Sequence, residues 1–171
     1  WHRDVQYFEV NNSYGQTFGG GYRQPYARAG KNQGAWMDEV RVRRQLGDAV
    51  QTPVAHMVCN FTAPLQNEAD TYLYHDDLLT LFHESGHALH HLLTQVGDMD
   101  VSGIRGVEWD AVELPSQFME NFCWDYEVLS SMSAHAQTGE VLPRALFDKM
   151  LAAKNFQSGM QMLRQVEFSL Y

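Results

Sequence analysis

Four of the chain's eight histidines lie within the eleven residues LFHESGHALHH, Leu81 to His91. On an α-helix, residues i and i+4 share a face, so His83 and His87 can direct their imidazoles at one ion while Glu84 stands beside them. Neutral imidazole suits zinc among the common biological metals, and a helix supplies the two ligands from a rigid rod. Glu84 fits a different role. Its carboxylate can hold a water molecule and accept its proton during attack on a carbonyl. The bare five-residue pattern also describes ordinary helix histidines or a structural zinc site. Its setting, an apolar-faced helix followed by a second helix rich in acids, favours the catalytic reading.

Two histidines and a water leave one protein ligand to find. His90 and His91 lie further along the same rod and cannot join the pair without distorting the helix, which leaves them supporting or packing roles. His87 and His91 form a competing i,i+4 pair, but Ala88 then occupies the position where a base is needed. The third ligand must come from elsewhere. Among Asp98, Asp100, Glu108, Asp110, Glu113 and Glu120, Glu113 is best placed, in the first turn of a second helix, with Glu108 or Asp110 next. Histidine ligands usually donate their other N–H to a carboxylate or carbonyl. Asp76, seven residues before His83, and Glu120, seven residues after Glu113, are candidates to orient a ligand.

These residues need elements to hold them. Leu78, Leu79, Phe82, Leu89, Leu92 and Leu93 recur at helical spacing, which predicts a long helix from about Asp76 to Gln95, with Asp76 and Asp77 favourably placed at its positive end. Residues 96–110 read as a Gly- and Asp-rich connection. A second helix is expected from Asp110 or Ala111 to about Ala136, with Asp110 as its cap and Pro115 tolerated only in its first turn. A third spans Arg144 to Phe168, with an interruption near Ser158–Gly159. Before the histidine helix, residues 4–10 and 54–61 (DVQYFEV and VAHMVCNF) suit strands. Pro53 and Pro64 flank the second and favour an edge or a boundary. Gly19, Gly20 and Gly21 allow a tight turn or a close backbone approach, but match no phosphate-binding loop. The fold class is mainly α with a small β element: one region over 1–171, with a β-containing part at 1–64 and a helical part at 75–171.

Composition narrows the remainder. Apolar residues at 44% and charged residues at 19% describe an ordinary globular chain. The net charge of −9 argues against a nucleic-acid partner, because phosphates call for concentrated Lys and Arg. No apolar run is long enough to span a membrane. Cys59 and Cys123 are too few and too far apart for a disulfide framework or a thiolate metal site, and read as buried, reduced thiols. The start at Trp1 reads as a cut chain, from which a targeting segment could have been lost.

The stretches DAVELPSQFMENFCW (110–124) and LFHESGHALHHLL (81–93) resemble the oligopeptidase A / thimet oligopeptidase family of zinc metallopeptidases. The similarity extends through KNQGAWM (31–37), TPVAHMVCNF (52–61) and residues 137–171, with the bacterial oligopeptidase A branch the nearer likeness. The resemblance implies His83, His87 and Glu113 as ligands of one zinc ion and Glu84 as the base, a gluzincin-type arrangement in which the HExxH helix is followed by a glutamate-bearing helix. It also implies hydrolysis of short peptides inside a channel, without a covalent intermediate, and a cytoplasmic location. The strand at 54–61 would then lie near the cleft and pair with an extended substrate.

The chain departs from the family in three ways. Ser85 stands where family members usually carry phenylalanine, so a cavity or a repacked neighbour is expected. The GGGYRQPYARAGK stretch lacks an acidic residue that the family usually has before its Tyr-Arg region. Family enzymes are several times longer, and their Tyr- and His-bearing substrate loop lies downstream of the part present here. The competing expectation is a relative that binds zinc with little hydrolysis and serves as an interaction module. Exposed apolar surface would point to a further chain segment or a second copy completing the cleft.

Overall fold

The computed structural model describes residues 2–65 and 71–171. Its first half is β: strands β1 (Gln6–Asn11), β2 (Thr17–Tyr26), β3 (Trp36–Arg41), β4 (Arg44–Leu46), β5 (Ala49–Gln51) and β6 (Val54–Phe61). The main sheet has four strands in the order β1-β2-β6-β3, while β4 and β5 form a separate hairpin. Strand β6 runs parallel to β2 and antiparallel to β3. Among the described residues helix content, 36%, exceeds strand content, 22%, a set of helices with a small mixed sheet.

The β part is nevertheless larger than the sequence suggested. Strand β2 passes through the glycines of TFGGGYRQPY, whose missing side chains hide the two-residue alternation that marks a strand. Those glycines serve close approach rather than a turn. A Cβ on Gly19 would lie 2.8 Å from the Pro53 carbonyl oxygen and 2.9 Å from Leu92 Cδ2. Strand β6 carries apolar residues on both faces because it lies inside the sheet. Its flanking prolines mark boundaries, and the expectation of an edge strand is corrected. Its pairing with a peptide is corrected over Val54–Val58, where β2 and β3 already take the backbone groups on its two sides.

Helix α1 (His75–Leu92) packs on this sheet. Ala55 and Met57 of β6 meet Ala88 and Leu92 of α1 in a buried cluster, flanked by Phe8, Val10, Met37 and Leu81. Each large side chain buried there contributes roughly 1.5–3 kcal/mol. The α1 residues involved recur at 81, 88 and 92, one face of the helix, so His83 and His87 point away from the sheet. The helix starts with Asp76 and Asp77 in its first turn, and the Tyr74 N–H donates to Asp77 Oδ2 at 3.0 Å. It ends three residues before the expected Gln95. Beyond it, His91, fully buried, ties three segments together: its Nε2 donates to the Arg41 carbonyl at 3.0 Å and its Nδ1 accepts from the Ile104 N–H at 3.4 Å.

The second helix is not continuous. Helix α2 (Leu114–Glu120) gives way to a 3₁₀ turn at Asn121–Trp124, and α3 (Tyr126–Met132) follows. The Asn121 side chain turns back onto the Gln117 and Phe118 carbonyls, and Asp125 restarts the helix by accepting from the Val128 N–H at 3.0 Å. Glu113, not Asp110, holds the cap position of α2, and Pro115 falls in the first turn. The last helical stretch is likewise divided, into α4 (Arg144–Lys154) and α5 (Ser158–Leu170), with Gln157 in the left-handed region at φ 55°.

The chain divides into two compact units at Cys123/Trp124. In the second, Phe147 and Leu129 are buried and the rings of Tyr126 and Phe147 meet edge to face, centroids 5.3 Å apart. Helix α5 buries no residue and leaves Met160, Met162, Leu163, Val166 and Phe168 exposed.

Candidate metal centre

Helices α1 and α2 bring together the groups singled out by spacing. One ligand atom each from His83, His87 and Glu113 lie within 4.8 Å of one another. Glu113 Oε2 is 3.2 Å from His83 Nε2 and 3.2 Å from His87 Nε2. Glu108 and Asp110 fall in the turns before α2 and take no part in this group. The approach of the two helices depends on Gly86, one residue before His87. A Cβ there would lie 2.5 Å from both the Pro115 carbonyl oxygen and Ser116 Cα, backbone atoms that have no rotamer to yield.

The outer partners are unequal. His83 Nδ1 donates to Glu120 Oε1 at 2.7 Å. The imidazole is thus bracketed by the two ends of α2, with Glu113 at one ring nitrogen and Glu120 at the other. Asp76 is not brought to the site: no hydrogen bond or ion pair joins its carboxylate to either histidine among the described residues. Seven residues along the same rod is about 10 Å, beyond the reach of an aspartate. His90 is separated from His83 by the same interval. It lines a groove with Pro115, Phe118 and Met119, and its buried Nδ1 has no partner.

Electrostatics favours a cation at this point. The Glu120 carboxylate only accepts, so the proton of neutral His83 resides on Nδ1 and leaves a lone pair on Nε2. That lone pair faces Glu113 Oε2, another acceptor. A proton or a metal ion between them resolves the conflict. Burial pushes the His87 pKa down, towards the neutral imidazole that binds metal, while a hydrogen bond from Ser116 foremost, and then the two histidines, pull the Glu113 pKa down towards the carboxylate. For His87 and Glu113 both shifts favour the forms that bind a metal ion, the neutral imidazole and the carboxylate.

Glu84 has a different environment. It is 5% exposed, its Oε2 has no partner among the described residues, and burial raises its pKa, with His83 opposing the rise and the Glu113 charge adding to it. A recess of about 290 Å³ lined by Ala35, Leu79, Thr80, His83, Glu84 and Glu120 opens beside it. The Cys59 thiol is pushed up to about 11, mainly by burial and then by the Glu84 charge, so it is a neutral buried thiol and not a nucleophile.

Two residues here escaped the sequence reading. Ser116, fully buried, hydrogen-bonds Glu113 Oε2 at 2.8 Å, and Gly86 admits α2. The Glu-x-x-Ser spacing at the start of a helix is a signal for the first; nothing local signals the second. Ser85, on the opposite side of α1, donates to the Leu81 carbonyl at 2.6 Å and lines an open and mainly apolar pocket of about 370 Å³.

Residues 1–171 match the sequence profile of peptidase family M3. The chain is 51% identical to oligopeptidase A of Escherichia coli, over 100% of its own length and 25% of that protein's. It is 47% identical to an organellar oligopeptidase A, chloroplastic/mitochondrial, of Arabidopsis thaliana, over 99% of this chain and 22% of that protein. A thimet-like oligopeptidase of Dictyostelium discoideum is 36% identical over 100% of this chain and 26% of its own length. The chain thus spans about a quarter of the length of these relatives.

Proposed function

The chain belongs to peptidase family M3, and from that premise we propose that residues 1–171 form a single catalytic region of a zinc-dependent endopeptidase that hydrolyses peptide bonds in short oligopeptides. The observation that carries this reading is the convergence of His83, His87 and Glu113 beside a buried carboxylate, Glu84, that none of them uses. The spacing suits zinc: two donors about 2.0–2.1 Å from a tetrahedral ion stand about 3.3 Å apart, against 3.2 Å for Glu113 Oε2 and each histidine Nε2.

In this reading His83, His87 and Glu113 hold the ion, and Glu120 fixes His83 in the tautomer that presents Nε2. When bound, zinc supplies a Lewis acid for the scissile carbonyl and makes a water acidic enough to attack near neutral pH. Glu84 orients that water through its unpartnered oxygen, takes its proton as the oxygen adds to the carbonyl carbon, and returns the proton to the amine nitrogen as the C–N bond breaks. A carboxylate whose burial raises its pKa is a better base for this transfer than one held ionised by hydrogen bonds. No acyl-enzyme is required.

The decisive experiment is Glu84→Gln. The variant keeps its zinc and loses turnover of a short fluorogenic peptide by 10³-fold or more on the order expected for a lost general base and water-orienting group; full turnover in that variant rejects the mechanism. Zinc retention without Glu84-dependent cleavage in the parent chain favours the second reading, a zinc-binding module with little activity. The quarter-length match to the relatives is what keeps that reading in play, and the exposed apolar face of α5 is suited to a further segment or a second copy. A cytoplasmic location is part of the same proposal. It is supported by two free, buried cysteines.

A further inference from the structure

We propose that Ser116 is a positioning residue of the metal centre: its hydroxyl aims the carboxylate oxygen of Glu113 at the space between His83 and His87. The inference rests on the reading of those three residues as the metal site. Ser116 Oγ stands 2.8 Å from two acceptors of Glu113, the backbone carbonyl and Oε2. A hydroxyl has one proton to give. The carbonyl already accepts the helical N–H of Gln117 at 2.9 Å, and a carboxylate oxygen is the stronger acceptor. The proton therefore goes to Oε2, the same oxygen that lies 3.2 Å from both histidine nitrogens.

The need for such a tether follows from exposure. The Glu113 side chain is 48% exposed and begins at the cap position of a helix of seven residues. A glutamate so placed samples many rotamers in water, and each ligand orientation lost costs affinity. Ser116 is fully buried, and it is held there by the backbone contact across Gly86. Gly86 thus fixes α2 against α1, the contact at Pro115 and Ser116 fixes the hydroxyl, and the hydroxyl fixes the carboxylate. The single bond to Oε2 also occupies one of that oxygen's two lone-pair directions, leaving the other for the ion.

The test is a double-mutant cycle on zinc affinity, measured on the whole 171-residue chain by competition with a chromogenic chelator, with no reference to turnover. Ser116→Ala is expected to weaken zinc binding by about 10–100-fold, the usual effect of losing a group that orients a ligand. In a Glu113→Ala background the same change is expected to alter affinity by less than about 2-fold, because the group through which Ser116 acts is gone. Equal weakening in both backgrounds, which a purely structural serine would give, overturns the proposal, as does no weakening in either. If Ser116→Ala does not fold by circular dichroism, Ser116→Gly, which also removes the hydroxyl and adds no metal ligand, carries the same cycle. Zinc affinity unaffected by Glu113→Ala alone defeats the site assignment itself, a separate failure from that of Ser116.

Discussion

The two sides of helix α1 are built to different tolerances. On the side facing α2, His83 and His87 meet a carboxylate at 3.2 Å, His83 is held from behind by Glu120 at 2.7 Å, and the two helix backbones touch at Gly86. On the side facing the sheet, Leu81, Ala88 and Leu92 pack against β6, yet Ser85 and its neighbours, Arg23 among them, line an open and mainly apolar pocket of about 370 Å³. One helix thus joins a part where tenths of an ångström matter to a part that is incompletely filled. Changes on the first side should alter metal binding, and changes on the second should alter stability alone.

The largest expected effect is on the ligand side. His87→Ala removes one of the three proposed protein ligands. Zinc sites of this kind bind with an apparent free energy on the order of 10 kcal/mol, so losing one ligand costs about 3–4 kcal/mol, a weakening of several hundred-fold. The fold should survive, because the sheet face of α1 is untouched. Chelator competition and a thermal melt of the metal-free chain measure the two quantities. Unchanged zinc affinity would show that the ligand side has been misassigned.

Gly86→Ala sharpens the comparison at the helix–helix contact, where two principles predict opposite signs. Helix propensity alone favours alanine over glycine by about 1 kcal/mol in a helix interior. The added Cβ, 2.5 Å from backbone atoms of Pro115 and Ser116, forces α2 outward, an overpacking cost of about 1–3 kcal/mol. The expected outcome is a net loss of stability of up to about 2 kcal/mol by urea unfolding, with zinc bound about tenfold more weakly because Glu113 moves with α2. A stabilised Gly86→Ala with normal zinc affinity would mean that the contact is soft.

The same contrast explains what could be read in advance. His83, Glu84 and His87 were legible because helical periodicity places i and i+4 together without any tertiary knowledge. Glu113 could be chosen among six acids only by arguing that it begins a helix, and Glu120 by counting two turns from it. Equal counting also nominated Asp76, which the structure leaves apart: a shared face on one rod does not shorten the distance along it, whereas α2 crosses the site and presents both its ends to one imidazole. Gly86 and Ser116 were invisible because their roles exist only where two helices touch. Strand β2 was missed because glycines carry no apolar pattern, and the end of α2 because Asn121 and Asp125 act through side chain to backbone bonds that periodicity ignores.

Ser85→Phe tests the sheet side and is the smallest effect. A space of about 150 Å³ accommodates a benzene, and the open pocket beside Ser85 is larger, with walls that are apolar apart from Arg23. Ser85 contributes no bond that another element needs, since its hydroxyl only returns to the Leu81 carbonyl within its own helix. A phenyl ring there adds apolar contact at little polar cost. Cavity filling of this kind commonly stabilises by about 0.5–2 kcal/mol, which raises the melting temperature of a chain this long by a few degrees, about 2–4 °C per kcal/mol. Zinc affinity should stay within about 2-fold, because the ring enters on the side of α1 away from His83 and His87, and well-separated changes add independently. A melting temperature that falls would mean that the space is not free to accept the ring. One that rises together with a changed zinc affinity would mean that the sheet side and the ligand side are coupled through α1, and the division between them would fail.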